Sequence, residues 1–115
     1  MLAKIKSARS AGALLICPVV LAELRAYPGA TAAFVLRFLD DTGVTVDFRL
    51  DETVWTEVGE RYGRYAARRR KSLGSFPRRL IADFLIGAHA LVQADRLITL
   101  DAGFYRRNFP EVRLL

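Results

Sequence analysis

The sequence predicts an α/β fold with a mainly parallel sheet, on three observations. Short apolar runs of strand length alternate with helical patterns along the whole chain, without repeats or low-complexity linkers. One of those runs, Leu97 to Leu100, is apolar enough for a parallel strand covered on both faces. The chain's 115 residues, 52% of them hydrophobic, suit one domain, residues 1–115, built around a single core.

Each element has its own signal. Leu2 to Ala11 has helical spacing at Leu2, Ile5 and Ala8, with Gly12 as the stop. Ala13 to Cys17 is an apolar run of strand length ended by Pro18, and Val19 to Tyr27 reads as a short helix entered directly from it, broken at Pro28-Gly29. Ala30 to Asp40 is helical again, with Ala33, Phe34, Leu36, Phe38 and Leu39 as its apolar surface. Val44 to Phe48 alternates and is a candidate strand at or near a sheet edge, Glu52 to Lys71 is a long amphipathic helix, and Ser72 to Pro77 is a loop. The stretch from Arg79 to Asp101 is a long apolar helix feeding the Leu97 strand. Gly103 to Pro110 reads as irregular, and Val112 to Leu115 as a last strand.

Composition narrows the classes. No run of about 18 uncharged apolar residues occurs, so no membrane span is expected. The basic and then apolar N-terminus superficially suggests a leader, but Ala11 to Pro18 is short, lacks a small-residue cleavage site, and works better as a strand. The lone Cys17 excludes an internal disulfide and a Cys-based zinc site, and fits a reducing, cytoplasmic setting.

The net charge of +6 is unevenly distributed. Asp40 to Glu60 carries seven acids (Asp40, Asp41, Asp47, Asp51, Glu52, Glu57, Glu60) against the single Arg49. From Arg61 to Arg79 there are Arg61, Arg64, Arg68, Arg69, Arg70, Lys71, Arg78 and Arg79 with no acid, interleaved with Tyr62, Tyr65 and Phe76. Such a run is either a solvated helix face or a patch for a polyanion or an acidic partner. Arg61, Arg64 and Arg68 fall on one helical stripe and, with Arg69 and Lys71, are the candidate contacts for a polyanion.

Three acids carry the candidate chemistry. Asp83 is flanked by Leu80, Ile81, Phe84, Leu85 and Ile86, so its carboxylate is expected to be partly buried, which is costly unless it is paired or bound to a cation. Asp101 follows the Leu97 strand and Glu23 lies just beyond Pro18, so both are expected near the carboxyl edge of the sheet, where open α/β folds bind ligands. A cluster of the three would raise a pKa or recruit a hard cation, Mg²⁺ or Mn²⁺, able to activate water against a phosphodiester. Gly87, one turn beyond Asp83, would leave room there for metal or substrate. Thr99 could hold a carboxylate or a metal-bound water. Plainer roles stand beside these: Asp83 paired with Arg79 at i−4, Glu23 paired with Arg25, and Asp101 capping the turn Ala102 to Tyr105. His89 and Cys17 read as packed core residues, and Trp55 as a helix anchor.

VVLAEL around Glu23, RRLIADFLIGAHAL around Asp83 and ADRLITLDAGFYRRNFPEVRL to the end together resemble the PIN-domain ribonucleases, in particular the VapC-type toxins of toxin–antitoxin pairs. The resemblance implies a three-layer fold with a mainly parallel sheet flanked by helices, and a metal-dependent endoribonuclease blocked by a cognate antitoxin. It also leans toward a homodimer. Glu23, Asp83 and Asp101 match the family's second, third and fourth acidic positions, and Thr99 its hydroxyl-bearing one. The family's first acid lies in an opening, central strand, and no acid precedes Glu23 here. The expectation is therefore a chain lacking its N-terminal strand and helix: an ordinary toxin nuclease in its intact form if the chain is a piece of a longer one, and weak or absent metal-dependent cleavage if it is the whole.

Overall fold

The computed structural model describes residues 2–73 and 79–115. They form two compact units, Met1–Arg49 and Leu50–Leu115. The loop expected over Ser72 to Pro77 lies outside the described residues from Gly74 onward, as does Arg78.

The first unit contains α1 (Leu2–Ala11), β1 (Leu14–Ile16), α2 (Pro18–Ala26), α3 (Ala32–Thr42) and β2 (Val44–Val46). β1 and β2 pair in parallel, Leu14 opposite Val44 and Ile16 opposite Val46. Parallel neighbours need a crossover, which α2 and α3 supply. Pro18 occupies the first position of α2, where its missing N–H would be unsatisfied in any case. Thr31 caps α3, its hydroxyl accepting from the Phe34 N–H at 3.0 Å. Gly43 ends that helix at φ 71°, a left-handed conformation that favours glycine. A Cβ there would also lie 2.8 Å from the Arg9 guanidinium. The apolar surface expected of α3 is largely outward: Val35 is buried, whereas Phe34, Leu36 and Phe38 are exposed.

The second unit is built on α4 (Glu52–Lys71), α5 (Ile81–Gln93) and α6 (Ala102–Asn108). Asp51 caps α4 by accepting the Val54 N–H at 3.3 Å, and Arg68 to Lys71 in its last turn complement the negative end of the helix dipole. α4 packs along α5. The hub of their contact is Phe84, fully buried, with ring centroids 5.0 Å from Tyr62, 5.3 Å from Tyr65 and 5.1 Å from Phe104. Each such pair is worth roughly 0.5–1.5 kcal/mol beyond the area it buries.

Two expectations are corrected. Gly103 to Pro110 is not irregular: α6 runs through it because Phe104, Tyr105 and Asn108 turn one helical face inward, and that burial outweighs the weak helix preference of Gly103. The Leu97 and Val112 runs meet in a single parallel bridge rather than in strands. The Leu97 N–H donates to the Arg113 carbonyl at 2.8 Å, and the Leu115 N–H to the Leu97 carbonyl at 3.1 Å. Past that point the ladder stops, and Leu100 is 87% exposed rather than sandwiched. The fold class is nevertheless mixed α/β with a parallel pair of strands. No helix among the described residues is long and apolar enough to cross a membrane.

Candidate functional site

The packing of Phe84 sets the position of its neighbour Asp83, in the first turn of α5 and half-buried. The Tyr105 hydroxyl donates to the Asp83 backbone carbonyl at 3.1 Å, which ties the start of α5 to α6. Among the described residues no cation pairs with the Asp83 carboxylate, so the i−4 pairing with Arg79 is not formed.

Arg79 instead takes Asp101. Its Nη1 donates to Asp101 Oδ2 at 2.7 Å, with the two side chains 32% and 47% exposed. The Arg79 guanidinium lies 4.7 Å from the Phe104 ring centre, and its backbone N–H donates to the Tyr65 hydroxyl at 2.8 Å. Asp101 stands at the N-cap position of α6, yet its side chain makes no capping bond. Thr99 acts on the backbone: its Oγ1 accepts the Asp101 N–H at 3.0 Å, fixing the turn that presents Asp101.

Glu23 belongs to the first unit, exposed on α2. That unit also holds an acid that the sequence reading passed over. Asp47 follows β2 directly, its N–H donating to the Ile16 carbonyl at 2.9 Å. Its carboxylate is 6% exposed and accepts from Arg49 Nε at 2.8 Å. The signal was available, since Asp47 lies inside the alternating run Val44 to Phe48, directly after its apolar Val46, much as Asp101 follows Leu97 to Leu100. Burial pushes the nearby Cys17 thiol up, with the Asp47 charge adding to the shift, so Cys17 stays a neutral core residue.

Gly87 makes room for a side chain of the protein itself. An ideal Cβ on it would lie 2.7 Å from Cζ of Phe109, so the space beside α5 is filled by that fully buried ring, not left for metal or substrate.

The basic stripe divides. Arg61 is buried: Nη1 donates to the Asn108 carbonyl at 3.0 Å and Nε to Glu57 at 3.2 Å, and its guanidinium also pairs with Glu111. Its guanidinium sits 5.0 Å from the Phe109 ring centre. The Glu111 bond raises the Arg61 pKa, and the same bond holds the Glu111 carboxyl below its ordinary range. Arg61 is thereby committed to tying α4 to the C-terminal segment, whereas Arg64 is 64% exposed with only a loose 3.8 Å approach to Glu60. Arg68 donates to Asn108 Oδ1 at 2.6 Å, and Lys71 is exposed. Beyond them an open cleft of about 540 Å³ is lined by Tyr62, Tyr65, Arg69, Arg70, Leu73 and Arg79.

What these groups can do chemically follows from their type. Carboxylates suit a hard divalent cation, but among the described residues no group of three or more His, Cys, Asp or Glu side chains is gathered to hold one. Arg79 occupies Asp101 in this arrangement, so an ion bound there would have to displace it. The same second unit carries a basic, aromatic-lined surface, the combination that suits a nucleic acid strand. The class is thus a mixed α/β fold that carries carboxylates and a basic face of the kind that suits a polyanion. The family model of the PIN domain matches residues 2–110, and the chain belongs to that family. PIN domains are generally nucleases, typically dependent on divalent metals. No curated protein and no solved structure matches the chain.

Proposed function

We propose that this protein is a metal-dependent endoribonuclease of the VapC toxin type. It would hydrolyse RNA phosphodiester bonds in the cytoplasm and be neutralised by a cognate antitoxin, with a homodimer as its working form. The observation that carries this reading is the PIN-domain match over residues 2–110. In it Glu23, Asp83 and Asp101 are the carboxylates for Mg²⁺ or Mn²⁺, and bound metal would supply activated water and charge neutralisation at the phosphate. The chain's own residues do the rest. Thr99 positions Asp101, Tyr105 anchors the start of α5, and Arg64, Arg68, Arg69 and Lys71 contact the RNA backbone. Arg61, occupied by Glu57 and Glu111, drops out of the phosphate-binding set. Arg79 is the group that a divalent ion must displace from Asp101.

A second reading is favoured by one observation, the Arg79 to Asp101 pair: a non-catalytic module that binds nucleic acid or antitoxin through the basic face. Incubating a labelled single-stranded RNA with the protein separates the two. The nuclease reading expects cleavage with Mn²⁺, weak in this chain and stronger in one extended upstream, that EDTA stops and Asp83→Asn abolishes. Salt-dependent binding without any hydrolysis would select the module instead.

A further inference from the structure

α4 turns Val54, Val58, Arg61 and Tyr65 inward. The stripe on its opposite side is Glu52, Thr56, Gly59, Gly63, Ala67 and Arg70, and every one of these is exposed. Charge orders this stripe: an acid at its N-terminal end, small residues through the middle, a base at its C-terminal end. Among the described residues neither Glu52 nor Arg70 has an ion-pair partner. Trp55, 47% exposed, stands on the margin of the same face. We propose that this face packs against the same face of a second copy of the chain, the two α4 helices antiparallel and the two-fold axis level with Arg61.

Charge complementarity selects the occupant. In that register Glu52 faces Arg70 of the second copy and Gly59 faces its Gly63, and each pair occurs twice because a two-fold interface is made of one patch used on both sides. Parallel pairing would set Glu52 against Glu52 and Arg70 against Arg70, which repels. A partner of uniform charge would match only one end of the face, whereas a reversed copy matches both. The small residues set how close the helices come, since the distance between packed helices follows the side chains at their contact. A Cβ on Gly59 or Gly63 would meet nothing within 4 Å, unlike Gly87, whose missing Cβ admits the Phe109 ring. Both glycines weaken the helix relative to alanine, and no packing inside the chain uses the space they leave. Trp55 falls on the flank where it reaches Ala66 of the second copy, and tryptophan is enriched among the residues that anchor interfaces.

The inference rests on the homodimer of the proposed function and names where the two copies meet. It is tested by sedimentation velocity over a dilution series at about 0.15 M salt. The emission of Trp55, the single tryptophan of the chain, is read on the same samples. The unaltered protein is expected to dimerise, with Trp55 emission moving to the blue as it does. Glu52→Arg and Arg70→Glu should each raise the dissociation constant about tenfold or more, since each creates two like-charge contacts. An equimolar mixture of those two variants should regain the original constant. Gly63→Gln has open space in the single chain and a better helix former than glycine, so it should stay folded by circular dichroism and yet fail to dimerise. A dimer of unchanged strength in the three folded variants would overturn this interface and spare the homodimer reading. A mixture that binds no more tightly than its components would overturn it in the same way. A monomer at every concentration would overturn both, while the nuclease reading keeps its own cleavage assay.

Discussion

Arg79 and Asp101, 22 residues apart in sequence, form the ion pair that defines the carboxylate end of the second unit, Nη1 to Oδ2 at 2.7 Å. Both side chains are partly exposed, so the pair adds at most about 1 kcal/mol to stability. Its chemical effect is larger, because it neutralises a carboxylate that a divalent ion would need. Arg79→Gln is therefore expected to leave thermal stability nearly unchanged and to tighten Mn²⁺ binding severalfold by calorimetry. Weaker Mn²⁺ binding would mean that Arg79 supports the site and does not compete for it.

Arg61 and Arg64 make a contrasting pair on one helix. Arg61→Gln removes bonds to Glu111, Glu57 and the Asn108 carbonyl, and should cost roughly 1–3 kcal/mol in urea unfolding. Arg64→Gln should leave stability unaltered and lower the salt slope of RNA binding by about 0.7. The reverse pattern would show that the stripe faces RNA through Arg61 after all.

Gly87→Ala tests the closeness of α5 to Phe109. Alanine is the better helix former by about 1 kcal/mol, yet the added methyl would overlap a fully buried ring. Net destabilisation of about 1–3 kcal/mol is expected from thermal unfolding. A more stable variant would contradict the packing.

Acid should loosen the tie between α4 and the C-terminal segment. The folded Glu111 carboxyl is held below its ordinary 4.5 by Arg61, so its contribution is fully present above that value. It is lost as pH falls from there through the lowered folded value. Half of the Glu111 side chain is exposed, so solvent screening keeps the effect modest. The melting temperature of the unaltered protein should fall more steeply below pH 4.5 than that of Glu111→Gln. Parallel curves would exclude the pair as the cause.

Much of this was legible where local signals were strong. The span of α4 matches its amphipathic pattern, with Asp51 capping one end and basic residues closing the other. The stripe that includes Arg61 was also visible, but its facing was not. Val54, Val58, Arg61 and Tyr65 recur at spacings of four, three and four, so Arg61 lies on the apolar face, and only the distant Glu111 and Asn108 make that tolerable. Gly87 misled for the same reason, since the ring that fills its space comes from residue 109. α6 was missed because its helix is chosen by the burial of Phe104 and Tyr105 rather than by its own residues. The Leu97 run shows the opposite limit: an apolar stretch becomes a strand only where a neighbour offers a ladder, and here one bridge forms.

The proposed role of the acids is tested most directly by titrating Mn²⁺ and following the free ion by electron paramagnetic resonance. The unaltered protein is compared with Glu23→Gln, Asp83→Asn and Asp101→Asn. The account predicts one site whose affinity falls tenfold or more in each variant. Mn²⁺ binding of equal strength in all four proteins would contradict it.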